Sequence, residues 1–174
     1  MSARDRILDT LEAILISEGE RAATLDAVAA RAEVSKGGLL YHFPNREALI
    51  GGLVERARNY AAAYRDELRS SPDGPTVAYI RTSAETNTAF DRTLIALGRL
   101  GGDQHPEAAS ALRAAQQDWV DLVREEIGDE ATARAIVLMG DGLYYNAMFQ
   151  DAPPRDVDGL LRIVEVLRAS VSRG

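Results

Sequence analysis

The chain has 174 residues and a formal net charge of −7, and 46% of its residues are hydrophobic but only 6% are aromatic. It contains no cysteine, which excludes disulfides, thiolate metal sites and a thiol nucleophile, and two histidines are too few for a histidine-rich metal site. No run of about 18 apolar residues is present, and the N-terminus lacks the apolar core of a signal peptide. We therefore expect a cytoplasmic protein without a metal, another cofactor or membrane contact.

The periodicity of the apolar residues predicts an all-α fold. Alanine is abundant, and the alternation of β-branched residues that is typical of strands is absent. Apolar residues recur at helical spacing between clear loop compositions, and they predict about nine helices. These span residues 3–18, 25–32, 36–42, 46–69, 75–89, 91–100, 106–127, 130–149 and 155–171.

Residues 24–50 have the pattern of a helix-turn-helix. Small residues at Ala29 and Ala30 allow a second helix to pack closely on the first, and Val34 supplies an apolar side chain that fixes the short turn. Thr24 and Ser35 are suitable N-caps for the two helices. In such a motif the second helix presents its N-terminal residues to the major groove of DNA.

The start of the second helix carries the candidate base contacts. Lys36, the only lysine of the chain, can reach a guanine edge or a phosphate, or it can be a solvated surface residue. Gly37 and Gly38 each cost about 1 kcal/mol relative to alanine in a helix. They either let the helix backbone approach DNA closely or are tolerated in a short helix that its neighbours hold in place.

Flanking residues are candidates for phosphate contacts. The Tyr41 hydroxyl and the His42 ring can donate to the backbone of DNA, although Tyr41 could be a half-buried packing residue and His42 a cation at a helix C-terminus. Thr24 is at least a helix cap, and Arg46 is placed to reach a flanking phosphate. Residues 31–46 are locally basic although the chain is acidic, and a local patch suffices because charges more than about 8–10 Å apart are largely screened.

The segment Thr-Leu-Asp-Ala-Val-Ala-Ala-Arg-Ala-Glu-Val-Ser-Lys-Gly-Gly-Leu-Leu-Tyr-His-Phe-Pro-Asn-Arg-Glu-Ala-Leu resembles the DNA-binding half of the TetR family of repressors. The resemblance is specific over residues 4–53. It implies a helix-turn-helix DNA-binding domain at 1–50 and a ligand-binding and dimerisation domain at 51–174. It also implies a homodimer that binds a palindromic double-stranded operator and is released by a small, mostly hydrophobic effector.

The resemblance assigns DNA contacts residue by residue. Gly38 and Leu40 stand where the family commonly has threonine and tyrosine, which we interpret as an altered operator preference. The version of the motif in this chain is similar to that of a subgroup of multidrug-efflux repressors. The predicted DNA-binding residues are Thr24, Ser35, Lys36, Gly37, Gly38, Leu40, Tyr41, His42 and Arg46.

The sequence of the C-terminal part is less informative. We expect an apolar effector pocket there, because aromatic and methionine side chains on facing helices can line such a pocket. Each of these residues could equally be core. Asp141 interrupts an apolar run, so it either pairs with an arginine, faces solvent at a dimer edge or is the counter-ion of a cationic ligand. The predicted effector-binding residues are Tyr60, Tyr64, Phe90, Trp119, Tyr144, Tyr145 and Met148.

The helices at 130–149 and 155–171 are the predicted dimer interface. The last helix has a continuous apolar stripe, which either packs on its own domain or, as the resemblance implies, contributes to a four-helix bundle between subunits. An enzyme is disfavoured because no phosphate loop, metal-ligand spacing or catalytic triad order is visible. A helical protein-interaction module, whose helix-turn-helix serves only for packing, is the other alternative. The stripe consists of Val157, Leu160, Leu161, Val164, Leu167 and Val171.

Overall fold

The computed structural model describes residues 2–149 and 156–171, but not the side chains of residues 148 and 149. Within these residues the chain forms nine α-helices and one 3-10 turn and no strand, which confirms the all-α prediction. None of the described helices combines the length and apolarity needed to cross a bilayer. The helices are α1 Ala3–Glu18, α2 Leu25–Arg31, α3 Lys36–His42, α4 Arg46–Ser70, α5 Pro75–Thr82, α6 Ala89–Gly98, α7 Pro106–Ile127, α8 Glu130–Phe149 and α9 Val157–Val171.

The predicted helix at 75–89 is wrong beyond Thr82, where α5 ends. The hydroxyls of Thr82 and Ser83 donate to the carbonyls of Ala78 and Tyr79, at 2.9 and 2.7 Å. Such bonds compete with the helical ladder, and Asn87 adopts a φ of 68°, which is incompatible with a helix. The 3-10 turn at Glu20–Ala22 was not predicted. The first residue of the last predicted helix, at position 155, lies outside the described residues.

The described residues fall into two compact units. The first comprises residues 2–61 and 89–114, and the second comprises 62–88 together with 115–149 and 156–171. Both α4 and α7 therefore contribute residues to each unit.

The core of the first unit is built around α1, which packs against α2, α3 and α6. Burying a leucine or isoleucine side chain fully contributes about 1.5–3 kcal/mol. Gly52 lets α4 approach the ring of Phe43, because a Cβ at this position would lie 2.5 Å from Phe43 Cε1. The fully buried large side chains of this core are Ile7, Leu8, Leu11, Ile14, Leu15, Leu39, Leu49, Ile50, Leu53 and Leu97.

A buried charge in the first unit is neutralised within it. Glu12 is almost fully buried, and its carboxylate accepts a hydrogen bond from the Thr93 hydroxyl at 2.6 Å. The Arg56 guanidinium donates to the same carboxylate at 3.2 Å. Because an isolated buried carboxylate is very costly, these two partners explain how α1 tolerates an acidic residue on its core-facing side.

The second unit buries the end of α4 among α5, α7, α8 and α9. Glu126 of α7 supplies the side-chain cap that α5 lacks, since the N-cap residue of α5 is Gly74. Its carboxylate accepts from the backbone N–H and the hydroxyl of Thr76, at 2.8 and 2.6 Å, and it also pairs with Arg168 of α9. One carboxylate thus ties together three helices of this unit.

Candidate functional site

Helices α2 and α3 form a helix-turn-helix held by the core of the first unit. Each begins with the predicted N-cap: the Thr24 hydroxyl accepts from Ala27 N at 3.2 Å, and the Ser35 hydroxyl accepts from Gly38 N at 3.0 Å. The turn between them places Glu33 at a φ of 54°. On the inner side of α3, Leu39 is fully buried. The opposite side of α3 faces solvent.

Lys36 lies on this exposed side, in the first turn of α3. Its Nζ is 2.8 Å from Oδ1 of Asp26 in α2, and both side chains are largely exposed, at 61% and 74%. No pattern in the sequence indicates Asp26 as a partner of Lys36. A separation of ten positions across a turn has no periodic signature, so only the folded motif brings the two charges together.

The two glycines that follow Lys36 differ in their surroundings. A Cβ at Gly37 would meet nothing closer than Ser35 Oγ at 4.0 Å, whereas a Cβ at Gly38 would approach the same oxygen to 3.2 Å. Packing therefore gives a reason for glycine at position 38 but not at position 37. The exposed backbone of Gly37 is consistent with close approach of a ligand.

The remaining predicted contact residues of α3 have distinct environments. Tyr41 is 85% exposed, so the alternative that it is a half-buried packing residue is wrong. Its ring meets that of half-buried His42 edge to face, with the centroids 5.2 Å apart. Leu40 is half-buried and packs against the core of the first unit.

Arg46 has partners within the first unit. Its guanidinium donates to the Glu20 carboxylate at 3.1 Å and to the Glu20 carbonyl at 3.3 Å. The same carboxylate accepts from Gly101 N at 2.9 Å and lies 3.0 Å from the Nε2 of His105. The hydrogen bond from Gly101, with those from His105 and Arg46, lowers the pKa of Glu20 to about 2. Only Nη2 of the Arg46 guanidinium makes these contacts with Glu20, and its role as a phosphate contact remains a prediction.

The predicted effector-binding residues divide between the two units. Tyr60 and Phe90 pack together in the first, with ring centroids 6.0 Å apart. In the second unit, Trp119 lies 6.3 Å from the ring of Tyr64 and 6.0 Å from that of Tyr79. Tyr144 is half-buried and Tyr145 exposed, both on α8. The side chain of Met148 lies outside the described residues.

Tyr79 was missing from the predicted set, although it links the aromatic rings to the charge at position 141. The tyrosine hydroxyl donates to the Asp141 carboxylate at 3.2 Å, and the side-chain amide of Gln116 donates to it at 3.1 Å. Burial, followed by the negative charge of Asp141, raises the pKa of Tyr79. Gly140 makes room for this ring, because a Cβ there would lie 2.4 Å from Tyr79 Cε1.

Among the described residues Asp141 does not pair with an arginine, which was the first of its three sequence-based alternatives. Its two described hydrogen-bond donors, Tyr79 and Gln116, are both neutral. The carboxylate is half-buried beside the group formed by Tyr64, Tyr79 and Trp119, which we call the aromatic cluster. This region therefore combines apolar rings with an acceptor whose negative charge no described side chain neutralises.

Helices α8 and α9 pack together and expose apolar side chains. The predicted stripe of α9 turns inward: Val164 is fully buried, and the other five residues pack against the core of the second unit. The packing interpretation of the stripe is thus confirmed. The exposed apolar residues are different ones, namely Leu138 and Tyr145 on α8 and Ile163 and Val166 on α9, and each is at least 50% exposed.

Two family models match most of the chain. The model described as bacterial regulatory proteins of the tetR family matches residues 7–53. The model described as the tetracyclin repressor-like C-terminal domain matches residues 73–171. No curated protein is a significant match to the chain.

Solved structures with the same fold include NalD, EbrR and SmeT. NalD from Pseudomonas aeruginosa, the secondary repressor of the MexAB-OprM multidrug efflux pump, is 20% identical with a TM-score of 0.67, and the match covers 93% of each chain. The multidrug binding protein EbrR in complex with malachite green is 22% identical with a TM-score of 0.69, covering 94% of this chain and 96% of its own. SmeT in complex with triclosan is 19% identical with a TM-score of 0.70, covering 98% and 91%.

Proposed function

We propose, from the premise that the chain belongs to the TetR family of bacterial regulatory proteins, that it is an effector-responsive repressor which binds a palindromic operator as a homodimer. Members of this family are transcriptional regulators and not enzymes. The observation that carries the proposal is the outer side of α3, where Lys36, Gly37 and Tyr41 are exposed on a helix that the core holds rigidly.

In the proposed complex the first turn of α3 enters the major groove. Lys36 reads a guanine edge, and the Gly37 backbone allows the helix to lie close to the bases. Thr24, Tyr41 and His42 donate to phosphates, which fixes the register on the duplex. Arg46 joins them through its guanidinium, which has five N–H donors.

The proposed dimer uses α8 and α9. The exposed Leu138, Ile163 and Val166 support this interface, because they are large apolar side chains on two helices that pack together, and exposed apolar surface is typical of protein interfaces. The proposal places α8 and α9 of two subunits around a two-fold axis, so that the two copies of α3 meet successive turns of one operator. Sedimentation of the full chain as a monomer at micromolar concentration would contradict this interface.

The proposed effector site includes the aromatic cluster and Asp141. The rings supply apolar contacts, while Gln116 and Asp141 offer polar atoms that orient a small, mostly hydrophobic molecule. The aromatic ligands named for EbrR and SmeT support an aromatic effector. Trp119 is the only tryptophan of the chain, so its fluorescence should change with every compound that releases the operator. Release without such a change would exclude this site.

The proposal is tested by binding the full chain to duplexes from the DNA that flanks its gene, over a range of salt concentrations. We expect affinity for one duplex to fall steeply with salt, and Lys36→Ala to weaken that complex by about tenfold or more, as for the loss of one good base contact. Arg69→Ala is the matched control, because Arg69 also forms an exposed ion pair but lies in the second unit. If no flanking duplex binds below about micromolar concentration at low salt, the repressor function is refuted.

A further inference from the structure

The surface of α2 and α3 that we propose to contact DNA also carries a carboxylate, that of Asp26, which forms an ion pair with Lys36. Lys36 is the only lysine of the chain, and its Nζ lies 2.8 Å from Asp26 Oδ1. An exposed ion pair of this kind contributes little to folding stability. Its main consequence concerns what else Lys36 can bind.

Asp26 belongs to the same surface as the proposed DNA contacts. It lies in the first turn of α2, two positions after Thr24 and opposite the first turn of α3. A phosphate that approaches Lys36 therefore comes within a few ångströms of the Asp26 carboxylate. Charges at such a separation are only partly screened by salt, because the Debye length is about 8–10 Å at physiological salt.

The ion pair between Asp26 and Lys36 affects the binding of phosphate and of guanine differently. An ammonium group has three N–H donors, so Lys36 can donate to the neutral O6 and N7 acceptors of guanine while it keeps its bond to Asp26. A phosphate carries a negative charge, and the carboxylate opposes its approach. The pair therefore weakens backbone contacts more than contacts to a guanine edge.

We infer that Asp26 is a specificity-determining residue, which competes with phosphates for Lys36 and so suppresses binding to DNA that is not the operator. The inference rests on the proposed function and adds to it an acidic residue that no DNA contact requires. Binding that does not depend on sequence comes almost entirely from phosphate contacts. The chain has a net charge of −7 and a single lysine. An ion pair that opposes phosphate binding by this lysine therefore limits such binding.

The test is Asp26→Asn in the full chain, with fluorescence anisotropy on the operator duplex and on a scrambled duplex of equal length, between about 50 and 200 mM salt. We expect the scrambled duplex to bind about 3–10-fold more tightly and the operator to change by less than about twofold. The slope of log affinity against log salt should steepen by about 0.9 per subunit for the scrambled duplex, as expected for one more phosphate neutralised.

Two controls isolate the role of the ion pair. Glu55→Gln removes the same charge and also breaks an exposed pair, with Arg4 at 2.7 Å, but lies on α4 of the same unit. It should leave the ratio of the two affinities unchanged. In a Lys36→Gln background, Asp26→Asn should have no effect on that ratio, because no ammonium group is then present for Asp26 to pair with.

The outcomes separate this inference from the proposed function. If Asp26→Asn tightens both duplexes by the same factor, if Glu55→Gln changes the ratio equally, or if the effect persists without Lys36, the competition is refuted while the repressor function stands. If the wild-type chain binds neither duplex, the proposed function fails first, and the inference fails with it. An unchanged melting temperature of the Asp26→Asn variant establishes that its fold is intact.

Discussion

Asp141 of the second unit differs in its partners from Glu12 and Glu20, the buried and half-buried carboxylates of the first unit. In the first unit, Glu12 meets Arg56 and Glu20 meets Arg46, so each negative charge is neutralised by an arginine of the same unit. In the second unit, the Asp141 carboxylate meets only the neutral donors Tyr79 and Gln116 among the described residues. Neither donor supplies a positive charge to this carboxylate.

This difference indicates how each unit combines stability with function. In the first unit Lys36 and Tyr41 lie on the exterior, so folding and DNA binding can be altered separately at these two residues. In the second unit the proposed effector contacts are also packing residues, since Tyr79 is buried and Trp119 lies against it. Substitutions there should change stability and effector response together.

The largest expected effect separates the two sides of α3. Leu39→Ala removes a fully buried side chain and should lower the free energy of unfolding by about 2–5 kcal/mol. Tyr41→Ala, on the exposed side of the same helix, should change it by less than about 0.5 kcal/mol. Urea denaturation followed by circular dichroism measures both. Similar losses in the two variants would show that the exposed side of α3 is not independent of the core.

The next effect concerns the aromatic cluster in the second unit. Gly140→Ala forces a methyl group against the Tyr79 ring and should destabilise the protein by about 1–3 kcal/mol. Gly142→Ala on the same helix meets nothing within 4 Å, so it should be neutral or stabilising by up to about 1 kcal/mol. Denaturant unfolding followed by Trp119 fluorescence distinguishes the two. Equal effects would mean that the close packing of Tyr79 on α8 does not limit stability.

The parts of the structure that the sequence could predict are those set by local interactions. Thr24 and Ser35 act as N-caps within their own helices, and the stripe of α9 follows from helical periodicity. The early end of α5 was missed because back-bonding by Ser83 and the positive φ of Asn87 override a sequence of otherwise helix-compatible residues.

The side-chain partners of the candidate sites could not be predicted. Glu20 and Arg46 are 26 positions apart, and Tyr79 and Asp141 are 62 apart, so no spacing rule relates them. The same holds for Asp26, whose contact with Lys36 depends on the angle between two helices. The sequence therefore indicates which residue types occupy the reading helix, while the fold determines which of them are already engaged.

The smallest expected effect concerns Glu20, whose negative charge is neutralised by Arg46. Its pKa is lowered from an ordinary value of 4.5 to about 2, so the ionised carboxylate stabilises the folded state above pH 4.5, and this contribution disappears as the pH falls towards 2. Glu20→Gln should therefore cost about 1–2 kcal/mol at pH 7, once the exposed part of the side chain is allowed for, and much less at pH 3. Glu55→Gln, which breaks an exposed pair, should cost little at either pH. The measurement is urea unfolding of the wild type and the two variants at both pH values.

If Glu20→Gln costs the same at pH 7 and at pH 3, the loss of stability comes from packing and not from charge. The contrast between Glu20 and Asp141 would then no longer rest on how their carboxylates are neutralised.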